Sequence, residues 1–248
     1  EQHCRIPQKR HHRYSKCIRV RRGTTKGYKL VVDAHRRVIA IDGPAGAGKS
    51  TIAKALSARL HMKYLDTGAM YRAVTFEAML HEIDLNDQEL VSKMAQECDL
   101  HVGTDRVIIN GHDATTAIRG PEVTGNVSKV AANSGVRTEM RLRQQEWAST
   151  HGGGVIEGRD IATVVFPNAV LKVFLTASPE VRAQRRVDQD GGDVAQIAAA
   201  IAERDLLDST RADSPLASSS DSVIVDTSER AIDDVVGEIE ELFMERTK

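Results

Sequence analysis

The residues best suited to do chemistry are contiguous: Gly43, Pro44, Ala45, Gly46, Ala47, Gly48, Lys49, Ser50 and Thr51. Their spacing, G-x-x-x-x-G-K-[ST], is that of a loop whose backbone N–H groups curl around a di- or triphosphate, with small residues leaving the backbone free to approach. Lys49 is the cation for the outer phosphates, and Ser50 offers a hydroxyl to Mg²⁺. The helix starting here turns the positive end of its dipole toward the anion. The motif has force only between a strand and a helix. Both are present, as VIAID (38–42) is a short apolar run and IAKALSARL (52–60) continues with helical spacing. Residues Gly43 to Thr51 are therefore expected to bind a nucleoside triphosphate.

Other elements must hold this loop against a second reactant. KYLD (63–66) reads as a second short strand, and residues 67–82 as an amphipathic helix with Thr67 as its cap. A helix over 87–97 and a hairpin of LHV (100–102) and VIIN (107–110) break the strand-helix alternation. The segment 83–124 is accordingly read as an inserted small α+β subdomain. Helices are predicted over about 121–133 and 134–150, and strands at VIEG (155–158) and VLKVFL (170–175). Pro179 opens a helix running to about Val187. DQDGGD (188–193) lies in a short lid over about 186–194, followed by an Ala-rich helix ending near Leu207, the strand VIVD (223–226) and a last helix over 229–245. Five parallel strand candidates with intervening helices predict an α/β, three-layer, doubly wound fold with a five-stranded parallel sheet.

The composition separates two unlike parts. Residues 1–37 hold twelve Lys or Arg against Glu1 and Asp33, a net of +10, while residues 38–248 carry a net of −11, and the whole comes to −1. The first part lacks hydrophobic periodicity and is expected to be a disordered extension. Its charge runs could contact nucleic acid, but a tag, transit segment or over-early start is the expectation. Residues 38–248 are read as one catalytic domain. No apolar run approaches the eighteen residues of a membrane span. Cys4, Cys17 and Cys98 form no C-x-x-C pair, which points to a reducing, cytoplasmic setting.

Triphosphate binding does not by itself fix the reaction. A regulatory GTPase needs an N-K-x-D motif, and none occurs. A nucleic-acid motor would be larger. A small-molecule kinase needs an arginine-rich acceptor site, because two anions must be brought together. Arginines stand where such a site would be built, in DTGAMYR (66–72), in EGRDIATVVFP (157–167), in the R-D-x-x-D-x-x-R run of Arg204, Asp205, Asp208 and Arg211, and at Arg137 after SKVA (128–131). This set, in this order over about 38–245, resembles the bacterial-type cytidylate kinases.

The resemblance implies phosphoryl transfer from ATP to CMP or dCMP, with Mg²⁺, by a monomeric enzyme whose acceptor-binding part is the insert. It places Arg72, Arg159 and Arg211 on the acceptor phosphate, Arg204 and Asp208 at the ribose, and Ser128, Arg137 and Asp160 at the base. Thr67 and Tyr71 line the same nucleotide, and Arg185 closes over the ATP phosphates alongside Lys49, Arg159 and Arg211. Arg182 and Arg186 read as solvated charges. The base trio also makes chemical sense: cytosine offers an amino donor at C4 and an acceptor at N3, complementary to the Asp160 carboxylate and to donors from Arg137 or Ser128, whereas uracil reverses the pattern. Alternatively, Asp160 caps the following turn. Glu157, at the end of its strand, could hold Mg²⁺ through water. Two other readings remain open: a kinase for another acceptor such as UMP, and an ATP-dependent RNA-binding protein using the basic arm.

Overall fold

A computed structural model describes residues 37–248. Residues 1–36, and with them the expected disordered basic arm apart from Arg37, lie outside the described residues. Strand β1 (Val38–Asp42) is buried along its whole length, as a parallel strand covered on both faces must be. It lies at the centre of a five-stranded parallel sheet with β2 (Tyr64–Asp66), β6 (Gly154–Glu157), β7 (Leu171–Thr176) and β8 (Val223–Asp226), in the order β2-β6-β1-β7-β8. The register aligns Ile41 with Glu157 on one side and Asp42 with Phe174 on the other. All the sheet strands expected from the sequence are present.

Alternation along β1 sends its side chains to two cores. Ile39 and Ile41 meet α1 (Lys49–Arg59) and α8 (Ile232–Arg246), through Ile52, Leu56, Val235 and Ile239. Val38 and Ala40 face the other layer, where α2 (Thr67–Leu80) and α5 (Ser134–His151) contribute Ala73, Val74, Val136 and Met140. The cap of α2 is Asp66, whose carboxylate accepts from the Ala69 N–H at 2.9 Å, not Thr67. Thr67 is instead buried, and its hydroxyl donates to the Glu157 carbonyl at 2.7 Å, locking the start of α2 to the end of β6.

Within 83–124, α3 (Gln88–Glu97) is followed by a three-stranded antiparallel sheet, β3 (Leu100–Val102), β4 (Val107–Ile109) and β5 (His112–Asp113), and a 3₁₀ turn over Ala117–Arg119. The short β5 is an addition to the predicted hairpin. Val91, Val107, Ile109 and Ile118 join the same core as α2, so the segment shares that helix's apolar face. A polar staple adds to it: the buried Glu77 carboxylate on α2 accepts from Asn110 Nδ2 at 2.7 Å and meets His81 at 3.2 Å and His112 at 3.3 Å.

After α4 (Pro121–Ala131) and α5, the chain passes through β6 and a π-helical turn (Ile161–Val165) to β7 and α6. Helix α6 (Pro179–Asp190) runs further than predicted, so residues 186–190 are helical, with Gly191 and Gly192 at positive φ before α7 (Val194–Thr210). The stretch read as a lid is thus the last turn of one helix, a three-residue connection over Gly191–Asp193 and the first residue of the next helix. The final helix begins at Ile232, three residues later than expected, and α7 ends three residues later, at Thr210.

Candidate functional site

The loop between β1 and α1 adopts the backbone that its glycines permit. Gly46 has φ +77° and Gly48 φ +84°, conformations costly for side chains bearing a Cβ. At Gly43 a Cβ would fall 2.2 Å from the Leu175 carbonyl, so strand β7 allows only glycine there. Gly48 leads into α1 with no side-chain cap, which leaves the first amides of the helix directed at the loop. Lys49 Nζ donates to the Pro44 carbonyl at 2.7 Å. Burial, then Arg159 and Arg204, pull the Lys49 pKa down from its usual range, and an anion bound in the loop would reverse that effect.

Beside the loop a cavity of about 250 Å³ is lined by Ser50, Lys54, Tyr64, Asp66, Arg106 and Arg119. Behind Tyr64 the Glu157 carboxylate is buried and accepts from the Tyr64 hydroxyl. Burial, with Asp66 next, raises the Glu157 pKa, while Lys49 and the hydroxyls of Tyr64 and Ser50 oppose the rise. Ser50, Glu157 and Asp66 form a hard oxygen set next to the phosphate loop.

On the other side of the loop, charged side chains from α5, from the segment after β6 and from α7 and the residues after it join in one chain of contacts. Arg159 links the two halves, since Nη1 donates to the Gly43 carbonyl at 2.5 Å and Nε to Asp208 at 2.8 Å. Arg211 lies 3.9 Å from Asp208 and 3.6 Å from Asp160. Arg137 binds Asp160 at 2.5 Å and the Ala131 carbonyl at 3.2 Å, and lies 3.7 Å from Asp213. The Tyr71 ring lies under the Arg137 guanidinium at 5.7 Å, and burial pushes its hydroxyl pKa up to about 12. Arg137 is only 2% exposed, so this is a site built inside the protein, not a surface salt bridge.

The arginines near the loop are crowded. Burial, then the neighbouring Arg159 and Arg72, bring Arg204 down to about 9, and burial brings Arg72 to about 10. Nε of Arg204, Nε of Arg137 and Nη2 of Arg211 are buried donors without a hydrogen-bond acceptor. Buried unsatisfied donors are uncommon and cost free energy, which an incoming polyanion would recover. Arg72 is held by the Ile118 carbonyl at 3.0 Å and the Thr124 hydroxyl at 2.8 Å, which ties the predicted phosphate-gripping arginine to the 83–124 segment.

Of the residues singled out in the sequence, Arg137, Asp160, Arg159, Asp208 and Arg211 are brought into one connected group. Ser128 lies half-buried on α4 and makes no hydrogen bond with Arg137 or Asp160. Arg185 is turned to the back of the loop, where it donates to Thr227 Oγ1 at 2.9 Å and to the Thr227 carbonyl at 2.6 Å. Thr51 is exposed. Arg186 pairs with Asp190 one turn on. Asp160 does not cap the turn that follows it. That part is played by Asp42, 1% exposed, which accepts from the Ile161 N–H at 2.9 Å and the Ala162 N–H at 2.7 Å.

Asp42, Tyr64, Asp205 and Asp213 were not assigned roles from the sequence. Asp42 carries a signal as the one charged residue of an apolar strand abutting the loop, and Asp205 as the acid beside Arg204 in the R-D-x-x-D-x-x-R run. Arg182, read as a solvated charge, is 11% exposed and bonded to Asp205 and to the Ala45 carbonyl.

A β-strand, phosphate loop and helix at the centre of a parallel sheet, opposite a buried arginine-carboxylate cleft, define a phosphate-loop nucleotide-binding protein of the α/β class. Residues 39–245 match the family model described as cytidylate kinase, and the chain belongs to that family. It is 45% identical over 220 residues to the cytidylate kinase of Mycolicibacterium paratuberculosis, covering 85% of this chain and 96% of that one. Identity to the cytidylate kinase of Corynebacterium efficiens is 47% over 208 residues, covering 80% of this chain and 90% of that one. It is 46% identical over 217 residues to the bifunctional pantoate ligase/cytidylate kinase of Prochlorococcus marinus, covering 83% of this chain but 44% of that longer protein. The chain thus spans less than half the length of the bifunctional relative.

Proposed function

We propose that the chain transfers the γ-phosphoryl group of ATP to CMP or dCMP, yielding ADP and CDP or dCDP. The carrying observation is the connected group Arg137, Asp160, Arg211, Asp208 and Arg159, which runs from a buried cytosine-complementary pair to the carbonyl of Gly43 in the phosphate loop. In this reading the Asp160 carboxylate accepts from the cytosine amino group while Arg137 donates to the ring. Uracil would set its carbonyl against Asp160 and leave a buried acceptor unpaired. Arg72, Arg159 and Arg211 hold the acceptor phosphate, where guanidinium forks match phosphate oxygens. Arg204 and Asp208 face the ribose, the carboxylate accepting from a hydroxyl, and Thr67 and Tyr71 line the nucleotide.

The loop amides of 46–51 and Lys49 hold the donor phosphates in line with the acceptor oxygen. Arg159 touches both the loop and the acceptor side, and Arg185 would have to leave its Thr227 partners to reach the transferring group from α6. Phosphoryl transfer of this kind is accelerated by positioning and charge neutralisation, so no strong general base is required. The oxygen set of Ser50, Glu157 and Asp66 fits Mg²⁺, Ser50 as a direct ligand and the carboxylates through water. Bound with ATP, Mg²⁺ would supply charge neutralisation on the donor phosphates.

The segment 83–124 acts as the acceptor-side insert, through Arg72 and its bond to Ile118. No helix among the described residues is long and apolar enough to cross a membrane, and we take the enzyme as a cytoplasmic monomer acting on ATP, CMP and dCMP. A coupled ADP-release assay with CMP, dCMP, UMP and AMP, on the full chain and on a version starting at Asp33, tests the reading. Turnover with CMP and dCMP well above that with UMP and AMP is the expected result. Absence of CMP-dependent turnover in both versions would overturn it.

A further inference from the structure

Asp205 lies on α7 between Arg204 and Asp208, yet the proposed reaction gives it no task. Its Oδ1 accepts from the Ala45 N–H, inside the phosphate loop, at 3.1 Å. Arg182 on α6 donates to the other carboxylate oxygen and, at 3.1 Å, to the Ala45 carbonyl. Both polar groups of one loop residue are therefore held by side chains from two separate helices. The pair is 11% and 18% exposed, well withdrawn from solvent. Helix α6 also presses on the loop, since a Cβ on Gly46 would come 2.9 Å from Arg182 Cβ.

Asp205 and Asp208 are three residues apart and so share one face of α7. Asp208 reaches the loop only indirectly, through Arg159 to the Gly43 carbonyl. In the proposed reaction the acceptor contests that second tie, because its ribose engages Asp208 and its phosphate engages Arg159. The tie through Ala45 uses no group that the acceptor needs.

We propose that Asp205 is a positioning residue: with Arg182 it keeps α7, and so Arg204, Asp208 and Arg211, in register with the phosphate loop while the acceptor occupies Asp208 and Arg159. This inference rests on the proposed reaction. Its function would be alignment of the two reactants, not affinity for either, so loss should appear in kcat and not in KM.

The test compares Asp205→Ala and Asp205→Asn in the full chain. ADP release gives kcat and both KM values, and calorimetric titration with CMP counts competent sites. Because small misplacements of reacting groups are costly, Asp205→Ala should lower kcat by about 10²-fold, with both KM values within about threefold and the competent fraction unchanged. Asp205→Asn keeps an acceptor for Ala45 without the ion pair and should fall between Asp205→Ala and the parent. A kcat within about threefold of the parent, a loss confined to KM, or a kcat loss matched by a loss of competent sites would each overturn the proposal. Lack of CMP-dependent ADP release by the parent chain overturns the proposed reaction, and this inference with it.

Discussion

The phosphate loop takes its groups from residues 43–51, whereas the proposed acceptor cleft draws Arg72 from α2, Arg137 from α5, Arg159 and Asp160 from just past β6, and Arg204, Asp208 and Arg211 from α7 and its end. In the loop the working parts are mostly backbone amides, and the sequence requirement is for small residues and positive φ. In the cleft they are side chains whose charges meet only after folding. The loop should therefore fail as a unit, while the cleft should fail residue by residue, and according to the acceptor.

The largest expected effect is on the loop. Lys49→Ala should lower kcat by on the order of 10³-fold, equally for CMP and dCMP, in an ADP-release assay. An effect that depended on the acceptor would mean that the two regions are not separable. Asp160→Ala should come next, reducing kcat/KM for CMP by about 10³-fold or less while leaving ATP binding, measured with a non-hydrolysable analogue, nearly intact. CMP kinetics within a few-fold of the parent would remove Asp160 from base reading.

Asp42 joins the two regions, since it ends the strand before the loop and fixes the turn after Arg159 and Asp160. Asp42→Asn should cost about tenfold in kcat/KM for CMP through misplacement of that turn. It also has a pH signature. Burial raises the Asp42 pKa from 3.8 to about 7, against the opposing bonds from Ala162 and Ile161. Between these values the folded state holds the extra proton, so the contribution is full below pH 4 and is lost as pH rises to 7. The slope approaches about −1.4 kcal/mol per pH unit. Denaturant titrations from pH 4 to 7 should show this slope in the parent and a flatter one in Asp42→Asn.

The smallest effect on catalysis is expected at Glu77, which staples β4 and β5 to α2. Glu77→Ala leaves Asn110 without its acceptor and should cost about 1–3 kcal/mol of stability, read by thermal or urea unfolding, with kcat little changed. A large loss of kcat would show that the staple shapes the acceptor side directly.

The sheet was legible in the sequence because its five strands are short runs rich in apolar residues, most of them followed by helical spacing, and the central β1 and β6 are buried along their whole length. The helix ends were less so. Thr67 and Asp66 are both good capping residues, and the choice fell to Asp66 because β6 brings the Glu157 carbonyl to the Thr67 hydroxyl. Arg182 and Arg186 could not be told apart in the sequence, both being basic residues of one helix. Only the approach of α7 to α6 gave Arg182 its partner Asp205.

The sequence by itself made the donor half legible: the glycines, Lys49 and Ser50 stand in nine consecutive residues and act mostly through backbone geometry. The tertiary structure alone decided how the carboxylates are used. Asp42 holds a turn 119 residues away, and Asp205 holds Ala45 at a separation of 160 residues. A carboxylate has no preferred partner in the chain. It takes whichever donor folding brings within about 3 Å and shields from water, and that depends on the packing of helices onto the sheet.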